Sequence, residues 1–193
     1  LATSKEDILA ASRDLIKENG WAAVSIRAVA SRCSVSAGTI YNYYESKADL
    51  LSDTIESIWH EIFFHPEDEQ VFHDVESCIS WIYERLEYGN RQFPGFFSLH
   101  SFGFMRDEKT SGKKRMMKTW GHILNGLCEV LGNDPKVRAD VFDQEFTEKK
   151  FADILFSLIL VSMIRQDYDP SSVLMLVKKT LYVTVQSQAK FQK

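Results

Sequence analysis

The sequence predicts an all-α fold of about nine helices, a small three-helix head followed by a larger helical body. Three observations carry that expectation. Apolar residues recur three and four positions apart nearly everywhere, the period of a helix with one buried face. No alternating apolar–polar run flanked by turn residues marks a hairpin. The 193 residues include only nine Gly and four Pro and no biased tract, which excludes a disordered, collagen-like or low-complexity chain.

The elements follow in order. The first helix opens on one of two capping patterns, Thr3-Ser4-Lys5-Glu6 or Ser4-Lys5-Glu6-Asp7. It buries Ile8, Ala11, Leu15 and Ile16 and stops at Asn19-Gly20. Ser25 caps a short second helix with Ile26, Val29 and Ala30 facing inward. After the three-residue break Cys33-Ser34-Val35, a third helix runs from Ser36 to about Tyr44. Ser46-Lys47-Ala48-Asp49 caps a long fourth helix through Leu50, Leu51, Ile55, Ile58 and Ile62 towards Phe64. Val71 to Tyr88 is predicted as the next, ended by Gly89-Asn90. An aromatic-dense stretch from Phe93 to Phe104 follows. Arg106 to Arg115, which has no apolar residue, is predicted as a loop. Met116 to Leu131 is helical up to Gly132-Asn133-Asp134-Pro135. Phe146 to Arg165 and Ser171 to Val185 close the series, joined by Asp167-Tyr168-Asp169-Pro170. The expected domains are a head over 1–47 and a body over 48–193.

Composition bounds the partners. Lys and Arg number 23 against 27 Asp and Glu, a net charge of −4, which argues against coating nucleic acid by bulk charge. The charge is uneven, however: residues 1–47 carry six basic and five acidic side chains, and 48–193 carry 17 and 22. Within 19–47, Arg27, Arg32 and Lys47 face only Glu45. Cys33, Cys78 and Cys128 are sparse and far apart, so neither a disulfide framework nor a zinc site is expected. The chain begins at Leu1 rather than Met, and no basic-then-apolar signal peptide opens it. The longest apolar stretch, Phe151 to Ile164, contains Asp153 and falls short of the roughly 20 residues a bilayer span needs. A cytoplasmic protein with no membrane partner is expected.

Two short helices joined by three residues and braced by a third make a helix-turn-helix. At about 100° per residue, Ile40, Tyr44 and Ala37 fall on the inner side of the third helix. Gly38, Thr39 and Asn42 face outward, flanked by Tyr41 and Tyr43. A glycine permitting close approach, two hydrogen-bonding side chains and two phenols suit a helix in the major groove, with Asn and Thr towards base edges and tyrosines towards phosphates. Arg27 sits in the first turn of its helix and Lys47 at the first position of the next, where a cation opposes the helix dipole. A phosphate docked at either helix start would remove that conflict.

Gly20-Trp21, Ser25-Ile26-Arg27-Ala28-Val29-Ala30 and Val35-Ser36-Ala37-Gly38-Thr39-Ile40-Tyr41-Asn42-Tyr43-Tyr44-Glu45-Ser46-Lys47 resemble the TetR family of bacterial repressors, over roughly Ile8 to Leu51. The resemblance implies DNA contact at Arg27, Thr39, Tyr41, Asn42, Tyr43 and Lys47, with Ser25 and Ser36 opening the two helices. It also implies a helical ligand-binding core and a homodimer built on the last two long helices. The sequence agrees on the second point, since Phe151, Ile154, Leu155, Leu158, Ile159 and Val161 to Ile164 are apolar nearly all round.

For a ligand, Trp81, Phe93, Phe97, Phe104 and Trp120, with Phe96, Phe102 and the polar His100, form a candidate apolar pocket, or simply a core. The group His60, Glu61, His65, Glu67, Asp68, Glu69, His73 and Asp74 suggests a metal. Its first two histidines, however, stand five apart where HExxH needs four, so no metal site is expected. Lys113-Lys114-Arg115 with Lys118 is read as a solvated loop and helix start. No nucleophile–base pair, Gly-rich phosphate loop or activated cysteine points to an enzyme, and no cofactor is implied. The expected function is a repressor binding a palindromic double-stranded operator as a homodimer and released by a small apolar or aromatic ligand. The alternatives are a ligand-independent or protein-regulated DNA-binding regulator, and a helical enzyme or carrier using the aromatic body.

Overall fold

A computed structural model of the chain describes residues 3–63, 72–97 and 111–183, without the side chains of 111–119, and every α-helix, 3-10 turn and π turn in it fits the all-α expectation. Eight α-helices occur among the described residues: α1 Lys5–Asn19, α2 Ile26–Arg32, α3 Ala37–Tyr41, α4 Lys47–Phe63, α5 Val75–Gln92, α6 Ser111–Asn133, α7 Glu148–Arg165 and α8 Ser171–Val177. A 3-10 turn, Trp21–Ala23, links α1 to α2, and a π-helical turn, Lys178–Tyr182, continues α8. Two compact units result. One holds α1 to α4 with the last turns of α5 and the first of α6; the other holds the rest of α5 and α6 with α7 and α8.

In the first unit the caps follow the sequence closely. Of the two patterns before α1, the second is used: Asp7 N–H donates to Ser4 Oγ (3.1 Å) and Ser4 N–H to Asp7 Oδ2 (2.8 Å). Gly20 ends the helix at φ 78°, where a side chain would be strained, and donates its N–H to Ile16 O (2.9 Å). Ser25 Oγ accepts from Ala28 N–H at the start of α2. The break between α2 and α3 turns on Ser34, left-handed at φ 55°, with Val35 N–H bonded to Ala30 O (2.9 Å). Ile8, Ile16, Val29, Ile40, Leu50, Ile58 and Ile62 are fully buried and make the core of this unit.

Several boundaries differ from expectation. α3 ends at Tyr41, not Tyr44, because the N–H groups of Tyr43 and Tyr44 both bond Ile40 O and tighten the chain into a turn. α5 runs through Gly89-Asn90 to Gln92. Gly89 marks a close approach and not a stop: a Cβ there would stand 2.6 Å from Ile62 Cδ1 and 3.0 Å from Phe97 Cζ. Gly95, at φ 79°, supplies the left-handed residue instead.

The second unit is tied by polar side chains at its helix ends. Asp74 caps α5, accepting from Ser77 N–H (2.8 Å). Asp134, buried, accepts from Val75 N–H (2.9 Å) and from the Tyr182 hydroxyl (2.6 Å). Arg138 bonds Leu181 O through its N–H and Thr180 O through Nη2, so the π turn ends on a loop that caps its carbonyls. α6 begins at Ser111, inside the segment predicted as a loop. Lys and Arg are good helix formers, and a lack of apolar residues removes burial, not helical propensity. α7 buries Phe151, Ala152, Leu155, Ile159 and Met163 but leaves Ile154, Val161 and Ile164 at least 40% exposed. α8 buries Val173 and Val177 and exposes Met175 and Leu176. The expected extension to Val185 lies partly outside the described residues, and the π turn closes with the Val183 N–H donating to Lys178 O (3.1 Å).

Candidate nucleic-acid interface

The outward surface of the head collects most of the predicted contact residues. Gly38 and Tyr41 on α3, and Asn42 and Tyr43 just after it, are exposed while Ile40 and Tyr44 are buried; Ala37, expected on the inner side, is half-buried. A Cβ on Gly38 would meet only Ser36 Oγ, at an ordinary 3.6 Å. Nothing inside the protein therefore requires a glycine there, and its value is the space it leaves outside the helix. Thr39 is half-buried, and its Oγ1 lies 3.0 Å from Ser36 Oγ, which also accepts Thr39 N–H. The Thr39 hydroxyl is thus oriented by the cap of its own helix. Ser25 and Ser36 both serve as N-caps of their helices.

Arg27 is the second residue of α2 and Lys47 the first of α4; both are exposed, and neither is ion-paired with another described residue. Ser46 Oγ accepts Asp49 N–H at the start of α4. A cation in the first turn of a helix opposes the helix dipole, so an anion bound at either position would be favoured by both the N–H groups of the helix start and the side chain.

Two details were not legible in the sequence. Arg32, counted there among the free cations of 19–47, forks Glu18 through both terminal nitrogens, which lowers the carboxyl of Glu18 and raises the guanidinium of Arg32. Tyr43 is 42% exposed, yet its hydroxyl donates to Thr3 O (2.5 Å), so it joins the start of α1 to the turn after α3. No pattern of spacing announces either contact, since both join residues distant along the chain.

The predicted ligand residues fall in separate places. In the first unit Phe93 and Phe97 are fully buried, with Phe96 packed against both and against Trp59 of α4 (5.4 Å between centroids). Trp21 reaches the same cluster, 6.3 Å from Phe96. In the second unit Trp81 is half-buried against Phe72 (5.2 Å), and Trp120 stands edge-on to Phe156 (5.8 Å). His100, Phe102 and Phe104 lie outside the described residues, as do His65, Glu67, Asp68 and Glu69. Among the described residues no group of three or more His, Cys, Asp or Glu is placed to hold a metal, and no helix is long and apolar enough to cross a membrane. The three cysteines are free thiols; burial raises all three, and Cys78 to about 12.

Comparison with known proteins places the head. A model of the family "Bacterial regulatory proteins, tetR family" matches residues 8–54. Over 48 residues the chain is 38% identical to the HTH-type transcriptional regulator UidR of Escherichia coli K12; the match covers 25% of this chain and 24% of that protein. The whole fold resembles solved structures at lower identity. A transcriptional regulator from Rhodococcus sp. Rha1 superimposes with a TM-score of 0.66 at 17% identity, over 94% of this chain and all of the other. The regulator FadR of Bacillus subtilis, solved with stearoyl-CoA, gives 0.60 at 19% identity over 90% of this chain and 97% of its own. Residues 8–54, which carry the capped helix-turn-helix with Arg27 and Lys47 at two helix starts, match the model of the TetR family of bacterial regulatory proteins, and the chain as a whole has a fold similar to that of these solved structures.

Proposed function

We propose that this chain is a sequence-specific DNA-binding transcriptional repressor that acts as a homodimer and is released by a small apolar or aromatic ligand. One observation carries the reading: an exposed surface of Gly38 and Tyr41 on α3 and Asn42 just after it, with Arg27 and Lys47 exposed at two helix starts, in the segment that matches the family. α3 would enter the major groove and present Asn42 and the oriented Thr39 hydroxyl to base edges. Arg27, Lys47 and Tyr41 would hold phosphates and fix the register. Tyr43 would contribute by bracing the start of α1.

Support for the dimer comes from α7 and α8. Ile154, Val161, Ile164, Met175 and Leu176 leave apolar surface exposed on helices that already bury their opposite faces. Two copies would bury these faces in a four-helix contact and carry two α3 helices about 34–36 Å apart, one turn of DNA. The ligand reading draws on the aromatic residues Trp81, Phe93, Phe97 and Trp120, together with His100 and Phe104, and on a structural neighbour solved with stearoyl-CoA. A ligand that shifted α4 would change the span between the heads; a coupling of ~1–3 kcal/mol moves occupancy 5- to 150-fold. The reading is of a regulator and not an enzyme.

The test is a gel shift with the DNA upstream of the protein's own coding sequence. Specific retardation by the wild type and its loss in an Arg27→Ala, Asn42→Ala double variant is the expected result. Unchanged binding by that variant would sink the assignment of this face.

A further inference from the structure

Two ion-pair rungs join α1 to α4 in one register. Lys5 Nζ lies 2.6 Å from Asp53 Oδ2, and eight residues further along both helices Arg13 Nε lies 2.9 Å from Glu61 Oε2. Equal offsets on the two helices mean that they run side by side in the same direction, with the rungs about 12 Å apart. Each rung has a further connection. Lys5 Nζ sits 5.5 Å from the ring centre of Tyr44, the buried residue that ends the α3 turn, so the first rung touches the reading element. Glu61 takes a second cation on its other oxygen, Lys17 Nζ at 2.7 Å, and that ammonium stands 4.9 Å over the ring of Phe93.

Isolated surface ion pairs contribute little to stability, and these have another physical consequence. Apolar contact between two parallel helices tolerates sliding and rolling. Charge-assisted bonds at two separated points are directional and fix both. The best-attested use of partly buried charge pairs is to specify register. Glu61 is also fourteen residues beyond Lys47, about 21 Å along α4, too far to touch DNA held at α3.

We infer that the Lys5–Asp53 and Arg13/Lys17–Glu61 ladder is a gauge of half-site spacing: it fixes the angle at which each head leaves α4. Glu61, with Lys17, is then a positioning residue for operator recognition. The inference rests on the two-headed DNA-binding reading above. Loosening the ladder lowers preorganisation, so it weakens the correctly spaced site and relaxes discrimination against misspaced ones, without altering what a single head reads.

The experiment uses the full chain and synthetic duplexes carrying the two half-sites that it selects from random DNA. Affinity is measured at the selected spacing, with one base pair inserted or deleted, and for an isolated half-site. The wild type is expected to lose about tenfold or more on either change, within the range of typical coupling energies. Glu61→Gln, which keeps the shape and removes the charge, is expected to lose about threefold or less, with its half-site affinity unchanged. Lys17→Met, which keeps the apolar stem, should behave alike, and the double variant should add little to either, as members of one network do. Arg27→Ala provides the contrast, weakening every duplex in the same ratio. Each variant is used only after its circular dichroism and melting match the wild type. If both variants keep the wild-type spacing penalty, or lose half-site and full-site affinity in parallel, the gauge is overturned while the two-headed reading stands. If the wild type binds without any spacing preference, both fall together.

Discussion

At the scale of single residues, two glycines of the same chemistry do opposite work. A Cβ on Gly38 would make only an ordinary contact with Ser36 Oγ, and its φ is not positive, so an alanine fits within the protein. Gly38→Ala is expected to raise stability slightly, by about 0.5 kcal/mol from helix propensity, and to weaken operator binding about tenfold, since its methyl projects where a base edge would lie. Thermal melting and a titration of the selected duplex separate the two effects; a variant that binds as tightly as wild type removes Gly38 from the interface. Gly89 is the reverse case. Its added Cβ would meet Ile62 and Phe97, both fully buried, so those side chains would have to shift within the core. Gly89→Ala is expected to cost roughly 1–3 kcal/mol by overpacking, measurable as a lower urea midpoint. The sequence marks both positions only as Gly. It places Gly38 outward through helical period, but it reads Gly89-Asn90 as a stop, because the close approach of Ile62 and Phe97 has no local signature.

At the scale of elements, what was legible followed from local chemistry. The Ser4–Asp7 box, the Ser25 and Ser36 caps and the Gly20 stop are each made by residues within four positions of one another, so their patterns identify them. Features set by distant partners were not legible: the commitment of Arg32 to Glu18, the α1–α4 rungs, and the role of Asp134 in joining α5 to the end of the last helix. α6 shows a different limit, since charge without apolar residues was read as a loop where the backbone is helical. Asp74 yields a test at this scale. Lys136, with its Nζ 2.8 Å away, and then the Ser77 N–H hold its carboxyl well below the ordinary range, at about 2. A carboxyl depressed in the folded state stabilises above its unfolded value and stops doing so as pH falls through the folded one. The contribution is therefore present near neutrality and lost between about pH 4 and about 2. Asp74→Asn should melt lower than wild type at pH 7, with the difference closing across that window. Part of it should also close in high salt, because Lys136 is exposed. An unchanged gap at pH 2 would assign the role of Asp74 to shape alone.

At the scale of the whole molecule, the net charge of −4 acquires a sharper meaning once the head's cations are followed to their partners. Of the six basic residues in 1–47, Lys5 is held by Asp53, Arg13 and Lys17 by Glu61, and Arg32 by Glu18. Arg27 and Lys47 are the two left without an ion pair among the described residues. A dimer would therefore offer four cations to phosphates. Counterion release then gives a slope of log Kobs against log salt of about −3.6, taking roughly 0.9 per phosphate neutralised. Lys47→Ala removes one cation from each head and should bring the slope to about −1.8 while weakening all sequences alike. Asn42→Ala should leave the slope at its wild-type value and relax discrimination at the base it reads, because a base contact releases no counterion. These two variants separate grip from reading on one instrument, fluorescence anisotropy of a labelled duplex over a salt series. A wild-type slope steeper than about −6 would mean that further cations reach the DNA. The confinement of the contact to Arg27 and Lys47 would then be wrong.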